Sequence, residues 1–175
     1  MKKMFKQALK CFVADEAESM RSGVSERMLC ARLGIPLERL ARESGYKAYY
    51  ADVEYNRKQD GKIKTILDGD YQEIQITCDL ILHSRGAVVQ KDNLIAVEMK
   101  KSNRPEDSKN KDRNRLRALT KESYDDVWSS GDGTLPEHVC GYSLGVFIDI
   151  DLESSTLDIE YYKKGEFSSS ETCGF

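Results

Sequence analysis

Long apolar runs are missing from this chain. Hydrophobic residues make up 39% of its 175 positions, yet they never gather into the roughly 18 consecutive positions that a membrane span requires. The lysines of the first ten residues are followed by neither an apolar core nor a small-residue cleavage site, so no leader is expected and the reading is a cytoplasmic protein. With 3 prolines and 12 glycines, collagen-like and low-complexity architectures drop out. Five cysteines, at 11, 30, 78, 140 and 173, are odd in number and far apart. That spacing gives no disulfide framework and no CxxC zinc pair. Reduced thiols are expected, with Cys30 and Cys78 packing as small buried hydrophobes inside apolar patterns. Neither a Walker loop nor a GxGxxG is present, and GYSLG at 141–145, although spaced as GxSxG, leads into the apolar run 144–152, which reads as a strand and not as the helix that follows a hydrolase elbow.

What is there fits one soluble domain. Charged residues amount to 33%, and the length allows a single core of real size. The expected layout is one domain over 1–175, with its core at about 24–165, an N-terminal helix in 1–23 and a flexible tail over 166–175. The net charge of -3 hides an uneven distribution. Residues 100–121 hold nine Lys or Arg against three acids, a local +6, whereas residues 122–175 hold twelve acids against Lys163 and Lys164, a local -10. A basic stretch of this kind suits a phosphate backbone, and it equally suits a solvated helix face.

Periodicity sorts the chain into helices and strands. Met4, Phe5, Leu9, Phe12 and Val13 have helical spacing. From Ser25, a good N-cap, the stripe Leu29, Leu33, Leu37, Leu40 and Ala41 stays in phase across Pro36, which predicts a kinked helix that Gly45 ends. Glu26 lies on the side of that stripe, so its carboxylate leans toward the core from the first turn. Alternation over 49–55 predicts a strand, 63–76 could add a hairpin or a loop, and CDLILH (78–83) and LIAVEMK (94–100) read as two central strands. A loop followed by a basic helix within 103–121, a Gly/Ser loop over 129–141 and a strand pair, 144–152 and 157–162, complete an α/β sandwich with a mixed sheet.

Three polar residues interrupt the apolar strands: Asp79 at the start of one, and Glu98 and Lys100 at the end of the next. Residues two apart on a strand share a face, so Glu98 and Lys100 stand side by side. Mg²⁺ takes carboxylate oxygens, commonly one or two from the protein, and Asp79 with Glu98 could be that pair. A neighbouring lysine could hold or deprotonate an attacking water, or stabilise phosphate charge. Carboxylates and an ExK at exposed strand ends also occur with no role beyond solvation.

The run of a helix acid, a strand, an Asp-bearing apolar strand, a strand ending in VEMKKS and a basic helix resembles the PD-(D/E)XK nuclease superfamily over roughly residues 24–150. Cys78 stands where the name-giving motif has Pro. The resemblance implies a restriction-endonuclease-like fold, a mixed β-sheet flanked by α-helices, and Mg²⁺- or Mn²⁺-dependent hydrolysis of phosphodiester bonds in DNA rather than RNA. By resemblance Asp79, Glu98 and the backbone carbonyl of Met99 bind the metal, Glu26 adds a further contact, and Lys100 supports the water. Lys101, Arg57, Arg113, Arg115 and Arg117 are the candidate nucleic-acid contacts. VEYNR at 53–57 resembles a stretch of small members of the superfamily with no assigned mechanism. A catalytically inactive descendant that binds nucleic acid or a protein partner is the alternative reading. At this size, sequence recognition could depend on a homodimer or on a partner protein. His83 shares the strand parity of Asp79 and could face the same cleft or serve structure alone. His138, Tyr124 and Trp128 are weaker candidates still.

Overall fold

Two helices, a six-stranded mixed sheet and a third helix form three layers in the computed structural model, which describes residues 1–54, 65–67, 73–75, 77–121 and 141–175. Helices α1 (Lys2–Arg21) and α2 (Glu26–Glu43) come first. The strands are β1 (Tyr50–Val53), β2 (Thr65–Leu67), β3 (Glu73–Gln75), β4 (Leu80–His83), β5 (Asn93–Lys101), β6 (Leu144–Asp151), β7 (Thr156–Lys163) and β8 (Glu166–Gly174), and α3 (Glu106–Thr120) lies between β5 and β6. The main sheet has the order β1-β4-β5-β6-β7-β8, and β2 pairs with β3 in a separate ribbon. β5 and β6 are parallel, joined by the α3 crossover, while the remaining neighbours are antiparallel.

Strand parity divides the core in two. Leu80, Leu82, Ile95, Val97, Met99, Val146, Ile148 and Ile150 point toward α1 and α2, where they meet Phe5, Phe12, Leu29, Leu33 and Leu37. Residues of opposite parity, Ile81, Ala96 and Phe147, pack with Cys78, Tyr162, Leu116 and Leu119 beneath α3. Each fully buried leucine or phenylalanine contributes about 1.5–3 kcal/mol, so both faces of the sheet are held by apolar burial. Gly145 lets α3 come close: a Cβ there would stand 2.9 Å from Thr120 Cγ2 and 3.2 Å from Tyr162 Cβ. The second glycine of GYSLG therefore serves packing.

Local chemistry explains the helix ends. Ser25 Oγ accepts the Met28 amide at 3.2 Å and caps α2, and Gly45, with φ +93°, lets the chain turn away. Pro36 sits inside an unbroken α2. Cys30 and Cys78 are buried, as their apolar surroundings predict.

One expectation is corrected. The Ser-rich tail from 166 to 175, read as flexible, forms β8 and covers β7 along eight paired positions from Lys163↔Glu166 to Thr156↔Gly174. Its Ser and Thr side chains carry no apolar signal, but backbone pairing needs none, and Glu171 anchors the strand to Lys6 of α1 and to the Tyr161 hydroxyl. Arg57, Tyr124, Trp128, His138 and the loop over 129–140 lie outside the described residues. Among the described residues, no helix is long and apolar enough to cross a membrane.

Candidate acidic site beneath the third helix

The β4–β5 register builds the site. Leu80 pairs with Val97 and Ile81 with Ala96, so one further step places Asp79 opposite Glu98 on the face covered by α3. Asp79 Oδ2 accepts the Met99 amide at 2.9 Å, which fixes the residue at the mouth of the strand pair. Its side chain is 27% exposed and that of Lys100 18%, whereas Glu98 has no solvent contact at all.

Helix α3 supplies the opposite wall. Its buried stripe runs Lys109, Asp112, Leu116, Leu119 and Thr120, two of them charged. Arg115 Nη1 donates to Glu98 Oε1 at 2.7 Å and to Asp112 Oδ1 at 3.0 Å. Asp112 Oδ2 is ion-paired with Lys100 Nζ at 3.0 Å, and the same ammonium lies 3.9 Å from Asp79 Oδ2. Two cations thus interleave with three carboxylates, a formal charge of -1 with every group ionised. Glu98 Oε2 is buried with no hydrogen-bond partner.

This setting shifts proton affinities in directions fixed by burial. Desolvation, followed by the Asp79 charge, pushes Glu98 well above the ordinary carboxylate range, and the Arg115 pair only partly offsets it. Burial raises Asp79 as well, against the Met99 amide bond and the Lys100 charge. For Lys100, desolvation works against the ammonium, but Asp79 and the Asp112 bond outweigh it and hold the pKa above that of a free lysine. The Cys30 thiol, 3.9 Å from Met99 Sδ, is pushed up by burial and then by Asp79 and Glu98. It is a packed neighbour of the site.

The other sequence-predicted residues are distributed as follows. Glu26 Oε1 accepts the Lys101 amide at 3.0 Å and Arg104 Nε at 3.1 Å, so its carboxylate fixes the end of β5 beside the pair. Lys101 Nζ donates to the Gly23 carbonyl at 2.7 Å. Arg113 binds Glu160 and Glu106 and stacks 4.7 Å from the Phe147 ring centre. Arg117 is exposed on α3, its guanidinium 5.3 Å from the Tyr162 ring. Arg115 turns inward. His83 is buried and meets Asp52 Oδ2 through Nε2 at 2.9 Å, a partner that Arg85 shares at 2.7 Å.

Sequence reasoning missed Asp112. The signal was available, because 109, 112, 116 and 119 are spaced by three or four and lie on one helix face; a charged residue in phase with two buried leucines is a buried charge in need of a partner. Asp149, which takes Lys109 Nζ at 2.7 Å, was missed for the same reason.

Among the described residues, no three His, Cys, Asp or Glu side chains converge as a ready metal cage. Two hard carboxylates, one with an unpartnered buried oxygen, do match the one or two protein ligands that Mg²⁺ commonly takes. No protein-family model matches the chain, and neither a curated protein nor a solved structure shows significant similarity to it.

Proposed function

We propose that this chain is a Mg²⁺- or Mn²⁺-dependent nuclease of the PD-(D/E)XK type, with a restriction-endonuclease-like fold, that hydrolyses phosphodiester bonds in DNA in preference to RNA. The observation that carries the reading is the Glu98 carboxylate. It is fully buried, one oxygen has no partner, and Asp79 stands opposite on the next strand. An unsatisfied buried acceptor costs about 1–3 kcal/mol, more when charged, and a cation shared with Asp79 would satisfy it.

In this reading Asp79 and Glu98 hold the ion, with the Met99 carbonyl as a further oxygen. Glu26 supports them by pinning the Lys101 end of β5. An ion held by these residues would supply Lewis acidity for a bound water and for the scissile phosphate. Lys100, kept charged by Asp79 and Asp112, suits holding that water and countering charge that develops on the phosphate oxygens. Arg117, Lys101, Arg113 and Arg57 remain the candidate contacts along the nucleic-acid backbone, which would position the strand without reading its sequence. A second copy or a partner protein would then supply sequence recognition.

Arg115 favours a second reading, a catalytically inactive module of the same fold that binds nucleic acid or a protein. Its guanidinium already gives Glu98 a counter-charge at 2.7 Å. One experiment separates the two: single- and double-stranded DNA and RNA are incubated with wild type and Lys100→Ala in Mn²⁺ or in EDTA, and retention on the same substrates is measured. The nuclease reading expects Mn²⁺-dependent cleavage that falls at least ~10²-fold in the variant with retention preserved. Retention by both proteins with cleavage by neither supports the module.

A further inference from the structure

The guanidinium on Glu98 is held by more than one bond. Arg115 Nη1 touches Glu98 Oε1 and Asp112 Oδ1, Asp112 continues to Lys100, and Lys100 reaches Asp79. The chain of charges closes on Glu98, whose Oε2 is buried without a hydrogen-bond partner. Counting charges decides what a divalent ion would do there. With all three carboxylates ionised, the form that a divalent ion binds, one guanidinium and one ammonium leave -1. Adding two positive charges with Arg115 in place gives +1, whereas adding them with Arg115 swung out gives a neutral pocket. Unbalanced charge in a desolvated site is costly, so the neutral arrangement wins. Arg115 also has a way out, since its side chain is 23% exposed while Glu98 is sealed. Asp112, one turn before it on α3, is 5% exposed and stays.

We infer that Arg115 is an internal placeholder for the cation of this site: its guanidinium occupies the Glu98 carboxylate while no divalent ion is bound, and binding of the ion to Glu98 and Asp79 expels it toward solvent. Asp112 is the positioning residue of the device, because it holds both Arg115 and Lys100. Expelled, Arg115 adds a free cation to α3, which also carries the exposed Arg117, so the ion and a phosphate backbone favour the same state of the helix. The inference rests on the metal-binding part of the nuclease reading and does not require that cleavage occur.

The test uses the whole chain without nucleic acid. Mn²⁺ binding is measured by calorimetry for wild type, Arg115→Gln and, as a control for net charge, Arg39→Gln on the far side of α2. Removing the placeholder is expected to tighten binding by about tenfold, with the control unchanged. Charge alone could give part of that gain, so the side chain is also followed directly: in wild type the Arg115 guanidinium protons, slow to exchange while bonded to Glu98 and Asp112, should exchange as fast as those of Arg39 once Mg²⁺ is added. If Arg115→Gln fails to fold, Arg115→Lys, which keeps the charge but loses the fork, should tighten binding by roughly two- to threefold. Unchanged or weaker Mn²⁺ binding in the Arg115 variants, or slow exchange that persists with Mg²⁺ bound, overturns the placeholder and leaves the metal site standing. Absence of Mn²⁺ binding by every variant overturns the metal site and the placeholder together.

Discussion

Asp79 Oδ2 accepts the backbone amide of Met99, the residue between Glu98 and Lys100, at 2.9 Å. Through this bond the start of β4 is tied to the ExK segment of β5, and the Asp79 and Glu98 carboxylates are brought to one pocket by the strand register itself. The arrangement is costly to keep: burial raises the proton affinity of both groups, and the Asp79 charge raises that of Glu98 further.

That relationship separates stability from metal binding. Asp79→Asn keeps an oxygen for the Met99 amide and removes a charge that repels Glu98, so its thermal unfolding should match or exceed that of wild type. A loss of stability beyond about 1 kcal/mol would show that the charge of Asp79 is structural. Mn²⁺ binding by the same variant should be lost.

A second acidic residue titrates in the opposite sense. Desolvation raises the Asp52 carboxyl, but the bonds from Arg85 and His83 outweigh it and hold the pKa below the usual range. A lowered folded-state pKa gives stability that is full above the unfolded carboxylate value and is lost as the pH falls through the folded one. Asp52→Asn should therefore cost about 1–3 kcal/mol near neutrality, as expected for hydrogen bonds to a charged group. That cost should shrink below about pH 4. Urea unfolding at pH 7 and pH 3 measures it, and a cost independent of pH would contradict the assignment.

Strand β8 gives a prediction that the sequence alone would have reversed. A flexible tail could be removed freely, yet deletion of 166–175 strips the hydrogen bonds from the β8 side of β7 and takes away Glu171, which binds Lys6 and Tyr161. The truncated chain should unfold at a lower temperature or associate through its newly opened edge. Unaltered melting and solubility would contradict the role of the strand.

Much of the fold was legible because parity and helical phase are dictated by burial. The α2 stripe through Pro36, the two central strands and the shared face of Glu98 and Lys100 all follow from it. β8 was not legible, since its pairing is made by the backbone and its exposed Ser and Thr residues leave no apolar alternation. In the site, Glu98 and Lys100 could be placed on one face from spacing alone, whereas Asp79 joins them through the β4–β5 register. The inward turn of Arg115 could not, because a local charge of +6 looks the same whether an arginine faces solvent or a buried carboxylate. Only the phase of Asp112 with Leu116 and Leu119 carried that information.

The most direct test of the central claim is Glu98→Gln, compared with wild type for Mn²⁺ binding by calorimetry and for cleavage of mixed DNA and RNA substrates at matched folding. Glutamine keeps the shape and removes the charge, so the account predicts that wild type binds Mn²⁺ and cleaves, while the variant stays folded, loses the binding and falls in cleavage by roughly 10²-fold or more. A variant that binds Mn²⁺ and cleaves as well as wild type would show that Glu98 holds no ion and that the chemistry, if any, lies elsewhere.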